Sequence, residues 1–485
     1  MATQVAFLSL GAAGWSLAES GSPSPKVEAS PRPTAVVGSA DSRSAVRLGR
    51  VEGRRPNVLL ITIDTLRRDH LGVYGYGLPT SPSIDQIARE GVVLTDAITP
   101  VPTTAPAMAS LLTGQHLERH RIMANVGALP GELPSLAEAF ATAGYDTAGF
   151  YGNEAVEDFG RGFRTWEEFP RRLGPRGREL ADDLGTTRVL RWLSSAREPW
   201  FLWVHFIDPH GPYDSSPASL SANFRYDVEP ALERELEISE KNWVFGAIPR
   251  YQALPDAKRV VDYLRRYDGE ILGTDQQVAR LRGWLEENGE LDRTLIVLTA
   301  DHGESLLEDN YFFQHGKVLN GASLRIPMIF SHPELPKGAR VDAPVSLIDL
   351  YPTLAELLGL EAPPAPAGIS IAAALRGEVA PERTRITYTV TPDLQVSVQR
   401  GRWRLRGKPL QLKGGVHIDR FGRLFLFDTS QVPEQQVRLK DHPEVVARLR
   451  KELKKASRRI RNFEPVPVEP TTDQKERLRA LGYLD

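Results

Sequence analysis

Apolar runs recur along the chain and end on acids. NVLLITID (57–64), WFLWVHFID (200–208) and TLIVLTAD (294–301) carry no acidic or permanently charged side chain before the terminal aspartate. Such runs fit strands buried on both faces of a parallel sheet. GVVLTDAI (91–98), YDTAGFY (145–151) and IPMIFS (326–331) read as further strands. Helical patterns fall between them. Ser81 can cap and Pro82 can open a helix over 81–90, with Ile84, Ile87 and Ala88 on one face. SLAEAFATA (135–143) is a second helix. The charged region 256–287 turns Val260, Val261, Leu264, Val278, Leu281 and Trp284 inward. Strands alternating with helices predict an α/β fold with a large, mostly parallel central sheet flanked by helices.

The pattern changes after residue 385. ITYTVT, VSVQRGRWRLRG and LFLFDT predict a small C-terminal antiparallel sheet, and 443–461 predicts a helix with a basic face. The expected organisation is therefore an N-terminal segment (1–54), a main domain (55–385) and a C-terminal subdomain (386–485). Within the first segment, Val5 to Ala18 is apolar but too short to span a bilayer. It is a candidate signal peptide without the basic start that such peptides carry, and a disordered extension is the even alternative. Residues 19–54 are rich in Ser, Pro, Ala and Arg and read as a linker. No other stretch is a transmembrane candidate. An exported protein is the expected location, with the cytoplasm as the alternative.

Composition narrows the chemistry. The 485 residues contain no cysteine, which excludes disulfides, thiolate metal sites and cysteine nucleophiles. The formal net charge of −2 offers no field for nucleic acid, so the basic run KELKKASRRIR is read as a solvated helix face. The oligomeric state is not legible.

Candidate chemistry gathers at the strand ends, where ligands bind in open α/β sheets. Asp64, Asp208, His210, Asp301 and His302 all lie there, and the loop 101–107 can reach the same rim. Asp64, Asp301 and His302 offer two oxygens and one imidazole, a set that suits one Zn²⁺, Mn²⁺ or Ca²⁺ ion. Thr104 stands two residues before Pro106, which can open a helix through Ala109, Ser110 and Leu111. A threonine there is ordinarily a cap. Beside a metal, its hydroxyl becomes a nucleophile for a tetrahedral phosphorus or sulfur centre. His315 and Lys317 follow closely enough to hold a leaving oxygen or an anion.

The sequence resembles the sulfatase family of the alkaline phosphatase superfamily. The matching pieces run in order from RPNVLLITIDTLRRDHLGVYGY (55–76) through TTAPAMASLLTG (103–114), HFIDPHGPY (205–213), LTADHGESL (298–306) and HGKVLNGASLRIPMI (315–329) to LRALGYLD (478–485). The resemblance implies metal ligands at Asp64, Asp301 and His302 and a nucleophile at Thr104. It also implies contacts to the transferred or leaving group from His210, Lys317 and, by similar placement, His315. The departures are as informative. Sulfatases carry C-x-P-x-R or S-x-P-x-R and oxidise the first residue to formylglycine, whereas here Thr104 and Met108 fill those positions. Oxidised threonine is a ketone, not the required aldehyde. Thr65 replaces the second aspartate of the first metal loop, and Gly152-Asn153 lies near the place of a missing Lys-x-His pair. Asn153 is a candidate for binding a substrate oxygen.

An unmodified threonine is the pattern of the phosphodiesterase, phosphonate-hydrolase and phosphoethanolamine-transferase branches. The expected activity is a metal-dependent hydrolase of phosphate, phosphonate or sulfate esters, with phosphorus favoured over sulfur and a small-molecule, glycan or lipid ester as substrate. A second metal would need Asp208, His210 and His315. Two alternatives are weighed against it: a head-group transferase, disfavoured by the absence of several N-terminal spans, and a decayed sulfatase-like binding protein. The stretches 155–195 and 214–255 are expected to roof the pocket.

Overall fold

The computed structural model describes residues 47–49, 53, 55–170, 181–214, 224–226, 230–389, 394–412, 415–431, 434–460 and 470–483. Contacts gather Ala45–Asp485 into one compact unit, and the description below concerns it. The candidate signal peptide and most of the linker lie outside the described residues.

The expected strands form with ends shifted by one or two residues: β1 (Asn57–Ile63), β2 (Val92–Ile98), β3 (Asp146–Tyr151), β5 (Trp200–Phe206), β6 (Thr294–Ala300) and β7 (Met328–Ser331). Two more were not expected, β4 (Thr165–Glu168) and β8 (Ala339–Ser346). The sheet order is β4-β3-β5-β1-β6-β7-β2-β8, so both unexpected strands are its edges. Edge strands are half solvated, and TWEE and ARVDAPVS accordingly lack the continuous apolar run that marks β1, β5 and β6. Only β7 runs against the rest, pairing antiparallel with β6 and β2. The sheet is thus mostly parallel, as its apolar strands implied.

Helices flank it where the periodicity placed them. Pro82–Arg89 buries Ile84, Ile87 and Ala88, and Leu136–Thr142 opens on a reciprocal Ser135/Glu138 capping box. The long helix Val260–Glu287 buries Val260, Val261, Leu264, Val278 and Leu281, while Trp284 is half-buried. Of the stretch 155–195, residues 171–180 lie outside the described residues. Its described part supplies β4 and the helix Ala181–Leu193, which packs against the long helix.

The second sheet, antiparallel in the order β13-β12-β11-β10-β9, comprises β9 (Arg385–Tyr388), β10 (Val396–Arg400), β11 (Trp403–Leu412), β12 (Gly415–Asp428) and β13 (Gln435–Val437). The helix Pro443–Arg459 covers β10, β11 and β12 with Leu449, Leu453 and Ala456, leaving Lys451, Lys455, Arg458 and Arg459 in solvent. Arg385 ties this sheet to the first, donating to the carboxylate and the carbonyl of Asp96, each at 2.5 Å. A last helix, Thr472–Ala480, opens on a Thr471/Gln474 capping box. Among the described residues no helix is long and apolar enough to cross a membrane.

Candidate active site

Register assembles the site. Ile63 of β1 pairs with Ala300 of β6 on one side and Phe206 of β5 on the other. The residues that follow, Asp64 and Asp301, therefore emerge side by side at the carboxyl edge of the sheet. The turn after β1 places Thr65 at φ 55°, an uncommon conformation for a β-branched residue. That turn aims the Thr65 N–H at Asp301 Oδ1 (3.0 Å), which also accepts from the His302 N–H (2.6 Å). Both bonds hold one oxygen of Asp301 and leave Oδ2 bare.

The two carboxylates are fully buried, and Asp64 Oδ1 and Asp301 Oδ2 have no hydrogen-bond partner. His302 Nε2 lies 3.3 Å from Asp301 Oδ2 and 3.9 Å from Asp64 Oδ1. Its Nδ1 is 2.9 Å from the Gly303 carbonyl, which can only accept, so Nε2 holds the lone pair in the neutral ring. Burial pushes the Asp64 carboxyl well above the usual carboxylate range, helped by the neighbouring Asp301 and opposed by the Asn153 amide. Burial also pushes His302 down to about 4, against the pull of Asp301. A fourth group was missed. His205, on β5 opposite Thr62, is within reach of Asp64 (Nε2 to Oδ2, 3.8 Å), and its Nε2 has no hydrogen-bond partner. One ligand atom each from Asp64, His205 and Asp301 lies within 4.8 Å of the others. Buried, unpaired acceptors converging in this way fit a cation.

Thr104 faces this cluster. Its helix runs from Thr104 to Thr113, so it begins two residues before the expected Pro106. Pro106 still sits in the first turn, where its missing N–H breaks no helical bond. Thr103, not Thr104, is the N-cap residue, and it makes no side-chain cap bond. Asn125 serves the helix start instead, accepting from the Ala105 N–H at 2.9 Å. The Thr104 hydroxyl is thereby free of capping. It is fully buried, 3.4 Å from Asp64 Oδ2 and 3.3 Å from His302 Nε2. Met108, one turn on, is buried in the core.

Asn153, two residues past β3, uses its Oδ1 to accept from the Ala155 N–H (2.9 Å) and its Nδ2 to donate to Asp64 Oδ2 (2.5 Å). His210 and His315 stand with ring centroids 5.1 Å apart, and His315 is 4.4 Å from the His302 ring. Glu304, buried and not foreseen, lies 3.2 Å from His315 Nδ1 through its Oε1, and His315 Nε2 has no hydrogen-bond partner. Lys317 lies just beyond, its Nζ 4.6 Å from the Trp243 ring centroid. Trp243 and Tyr251 bring part of the 214–255 stretch to this edge, Tyr251 with its ring 6.5 Å from that of His210. Asp208, expected to end its strand, lies two residues past the last residue of β5 and is buried. Among the described residues, however, Asp208, His210 and His315 do not form a second cluster of convergent ligand atoms. The reason is local: Asp208 and His210 lie in the turn beyond β5, with the His210 N–H bonded to the Ile207 carbonyl at 2.9 Å.

The least expected member comes from the far end of the chain. Tyr483 places its hydroxyl 3.1 Å from Thr104 Oγ1, 3.0 Å from Asn153 Nδ2 and 2.9 Å from His210 Nε2. His205, Glu304 and Tyr483 were missed for different reasons. The only signal for His205 was a lone imidazole in the otherwise apolar run WFLWVHFI. Glu304 stood inside the DHGE segment. Tyr483 stood inside the matching terminal piece LRALGYLD, which gives no sign that its hydroxyl reaches Thr104.

Gly303 lets the backbone after His302 pass close to that of Ala322. A Cβ there would collide with the Ala322 carbonyl oxygen. Gly303→Ala is expected to cost about 1–3 kcal/mol of stability by overpacking and to shift the His302 ring, seen as a lower Tm together with weaker divalent-ion binding.

Known proteins agree with this architecture. The family model Sulfatase matches residues 56–360. A multifunctional alkaline phosphatase superfamily protein of Trinickia caryophylli is 27% identical over 414 residues, covering 69% of this chain and 80% of that one. The choline-sulfatase of Rhizobium meliloti is 25% identical over 412 residues, covering 72% and 78%. Among solved structures, the phosphonate monoester hydrolase of Agrobacterium radiobacter superposes with a TM-score of 0.64 at 19% identity, covering 86% of this chain and 100% of that one. With a family model that spans well over half of its length, the chain belongs to the sulfatase family.

Proposed function

We propose that this member of the family is a metal-dependent hydrolase of phosphate or phosphonate esters, with Thr104 as its nucleophile. Family membership and its relatives make it a hydrolase of sulfuric or phosphoric esters. The choice of phosphorus rests on Thr104 itself, which cannot become formylglycine. The observation that carries the reading is the buried Thr104 hydroxyl, 3.3 Å and 3.4 Å from His302 and Asp64, at the start of a helix and uncommitted to capping.

Asp64, Asp301 and His302 are the residues to hold one divalent ion, with His205 as a further donor and Thr104 at its edge. When bound, such an ion supplies charge neutralisation for the anionic site and acidifies the threonine hydroxyl. The chain does the rest. The helix start turns its N-terminal dipole toward the charge that develops at Thr104. Thr104 Oγ1 attacks phosphorus as the ester P–O bond breaks, leaving a phosphorylated threonine; water then adds to phosphorus and Thr104 departs. His315 and Lys317 are proposed to contact the transferred group and the leaving oxygen, whereas both ring nitrogens of His210 are engaged, Nδ1 with the Gly211 carbonyl and Nε2 with the Tyr483 hydroxyl. The Nδ1–H of His315 is directed at Glu304 Oε1, which holds the ring with Nε2 available for proton transfer.

The substrate is proposed to be a small-molecule, glycan or lipid ester. Aryl phosphate monoesters and diesters, phosphonates and sulfates, assayed with Zn²⁺, Mn²⁺ and Ca²⁺, provide the test. The reading expects kcat/KM on at least one phosphorus ester to exceed that on the matching sulfate by about tenfold or more, some 1.4 kcal/mol of transition-state discrimination. Preferential sulfate turnover overturns the choice of phosphorus. Absence of any turnover, together with absence of a stoichiometric ion after supplementation, favours the decayed binding protein.

A further inference from the structure

We propose that Tyr483 is a catalytic residue, its phenol carrying the Thr104 proton to His210 Nε2. This rests on the reading of Thr104 as nucleophile. It follows from counting donors and acceptors around one oxygen.

The Asn153 amide nitrogen can only donate, so at 3.0 Å it donates to the Tyr483 oxygen. His210 Nδ1 lies 2.8 Å from the Gly211 carbonyl, which can only accept. Nδ1 therefore carries the ring proton in neutral His210, and Nε2 carries the lone pair. The 2.9 Å contact between Tyr483 and Nε2 is then the phenol donating to the imidazole. With its one proton committed, the phenol can only accept from Thr104 at 3.1 Å. The hydroxyl of Thr104, that of Tyr483 and the His210 ring thus form a directed chain. The other acceptors near Thr104 are more distant, Asp64 Oδ2 at 3.4 Å and His302 Nε2 at 3.3 Å, and Asp64 Oδ2 already takes the Asn153 amide.

The C-terminal segment is built to aim this hydroxyl. The helix Thr472–Ala480 ends in a Schellman closure: the Gly482 N–H bonds to the Arg479 carbonyl (3.0 Å) and the Tyr483 N–H to the Leu478 carbonyl (2.7 Å). Gly482 takes φ +79°, and a Cβ there would also collide with the Tyr251 ring. Leu478 and Leu481 are buried, and Arg477 pairs with Glu157 at 3.4 Å on the short helix that follows Asn153. The tyrosine ring packs edge-on against both His210 and His315, with centroids 5.3 Å and 6.0 Å apart.

The step balances. As Thr104 Oγ1 bonds to phosphorus and the ester P–O bond breaks, the threonine proton passes to the Tyr483 oxygen and the phenolic proton passes to His210 Nε2. Tyr483 ends neutral and His210 ends as imidazolium. The departing ester oxygen takes a proton from solvent. When water releases the phosphoryl group, the proton returns to Thr104 along the same two hydrogen bonds, and the attacking water gives its own proton to solvent.

Tyr483→Phe in the full-length protein removes the hydroxyl and keeps the ring. The expected result is a fall in kcat of about 10²-fold or more, with KM, bound metal and Tm within error of wild type. A merely structural tail would move Tm or KM instead. His210→Ala supplies the second arm: if the two residues act as one relay, the double variant is no slower than His210→Ala alone. Unchanged kcat in Tyr483→Phe overturns the relay, and so does increased kcat, which would make the tail a plug. Full additivity in the double variant overturns it as well. Thr104→Ala separates the two readings. An active Thr104→Ala removes the nucleophile itself, whereas an inactive Thr104→Ala beside a fully active Tyr483→Phe removes only the relay.

Discussion

Thr104→Ala is expected to lower kcat by at least about 10³-fold while the protein keeps its fold and its divalent ion. That loss corresponds to about 4 kcal/mol of transition-state stabilisation. Deletion of Oγ1 takes away the attacking atom. It leaves Asp64, Asp301, His302 and His205, whose positions depend on the edge of β1, β5 and β6 rather than on the threonine. The small cavity is lined by Asp64, His302 and Tyr483, so its cost in stability is minor beside the cost in rate. Thr104→Ser, which retains the hydroxyl, is expected to keep activity within about tenfold. Three measurements check the pair: steady-state kinetics on the best ester, metal content, and mass spectrometry of acid-quenched enzyme for phosphate on Thr104. Undiminished turnover in Thr104→Ala would falsify the nucleophile assignment.

Asp64→Asn is expected to abolish the stabilisation that divalent ions confer, and to make the metal-free protein more stable than metal-free wild type near neutral pH. In wild type, an ion at a hundredfold excess over its Kd adds about 2.7 kcal/mol to the folded state, several degrees of Tm. An ion there would offset two buried carboxylates whose bare oxygens converge. The sign of the pH dependence follows from Asp64, whose carboxyl is held well above its ordinary value by burial and by Asp301. A raised carboxyl contributes stability that is fully present below the ordinary carboxylate range, about 4, and is lost as pH rises through the folded value. His302 and His205, both lowered by burial, act in the opposite sense: His302, pushed down to about 4, contributes stability that is lost as pH falls from about 6.5 through that value. The difference in Tm between metal-free Asp64→Asn and metal-free wild type isolates Asp64 from them. It is expected to grow as pH rises and to vanish in strong acid. A flat difference, or an ion-dependent Tm rise that survives in Asp64→Asn, would remove Asp64 from the metal site.

Much of the site was legible because strand ends are legible. Asp64, Asp301 and His302 each follow a continuous apolar run, and parallel strands of that kind must bring their carboxyl ends to one edge. Thr104 could be placed at a helix start from Pro106 alone, although the helix begins earlier than proline suggested. Its freedom from capping was not readable, since Asn125 supplies that bond from 20 residues away in sequence. Asn153 was placed near the site, but its simultaneous hold on Asp64 and Tyr483 needed coordinates.

By itself, then, the sequence determined the parallel sheet, the edge where acids collect, the absence of thiol chemistry and a threonine where its family has a formylglycine precursor. Each of these is local: burial on both faces shows as an uninterrupted apolar run, and residue identity decides which covalent chemistry is available. Tertiary structure decided the rest. It chose the register that sets Asp64 beside Asp301, turned His205 toward them, and made edge strands of TWEE and ARVDAPVS. It also brought Tyr483 to Thr104 across 379 residues of chain. Which donor meets which acceptor is a matter of position in space, and a hydrogen bond closed over that distance leaves no periodicity to read.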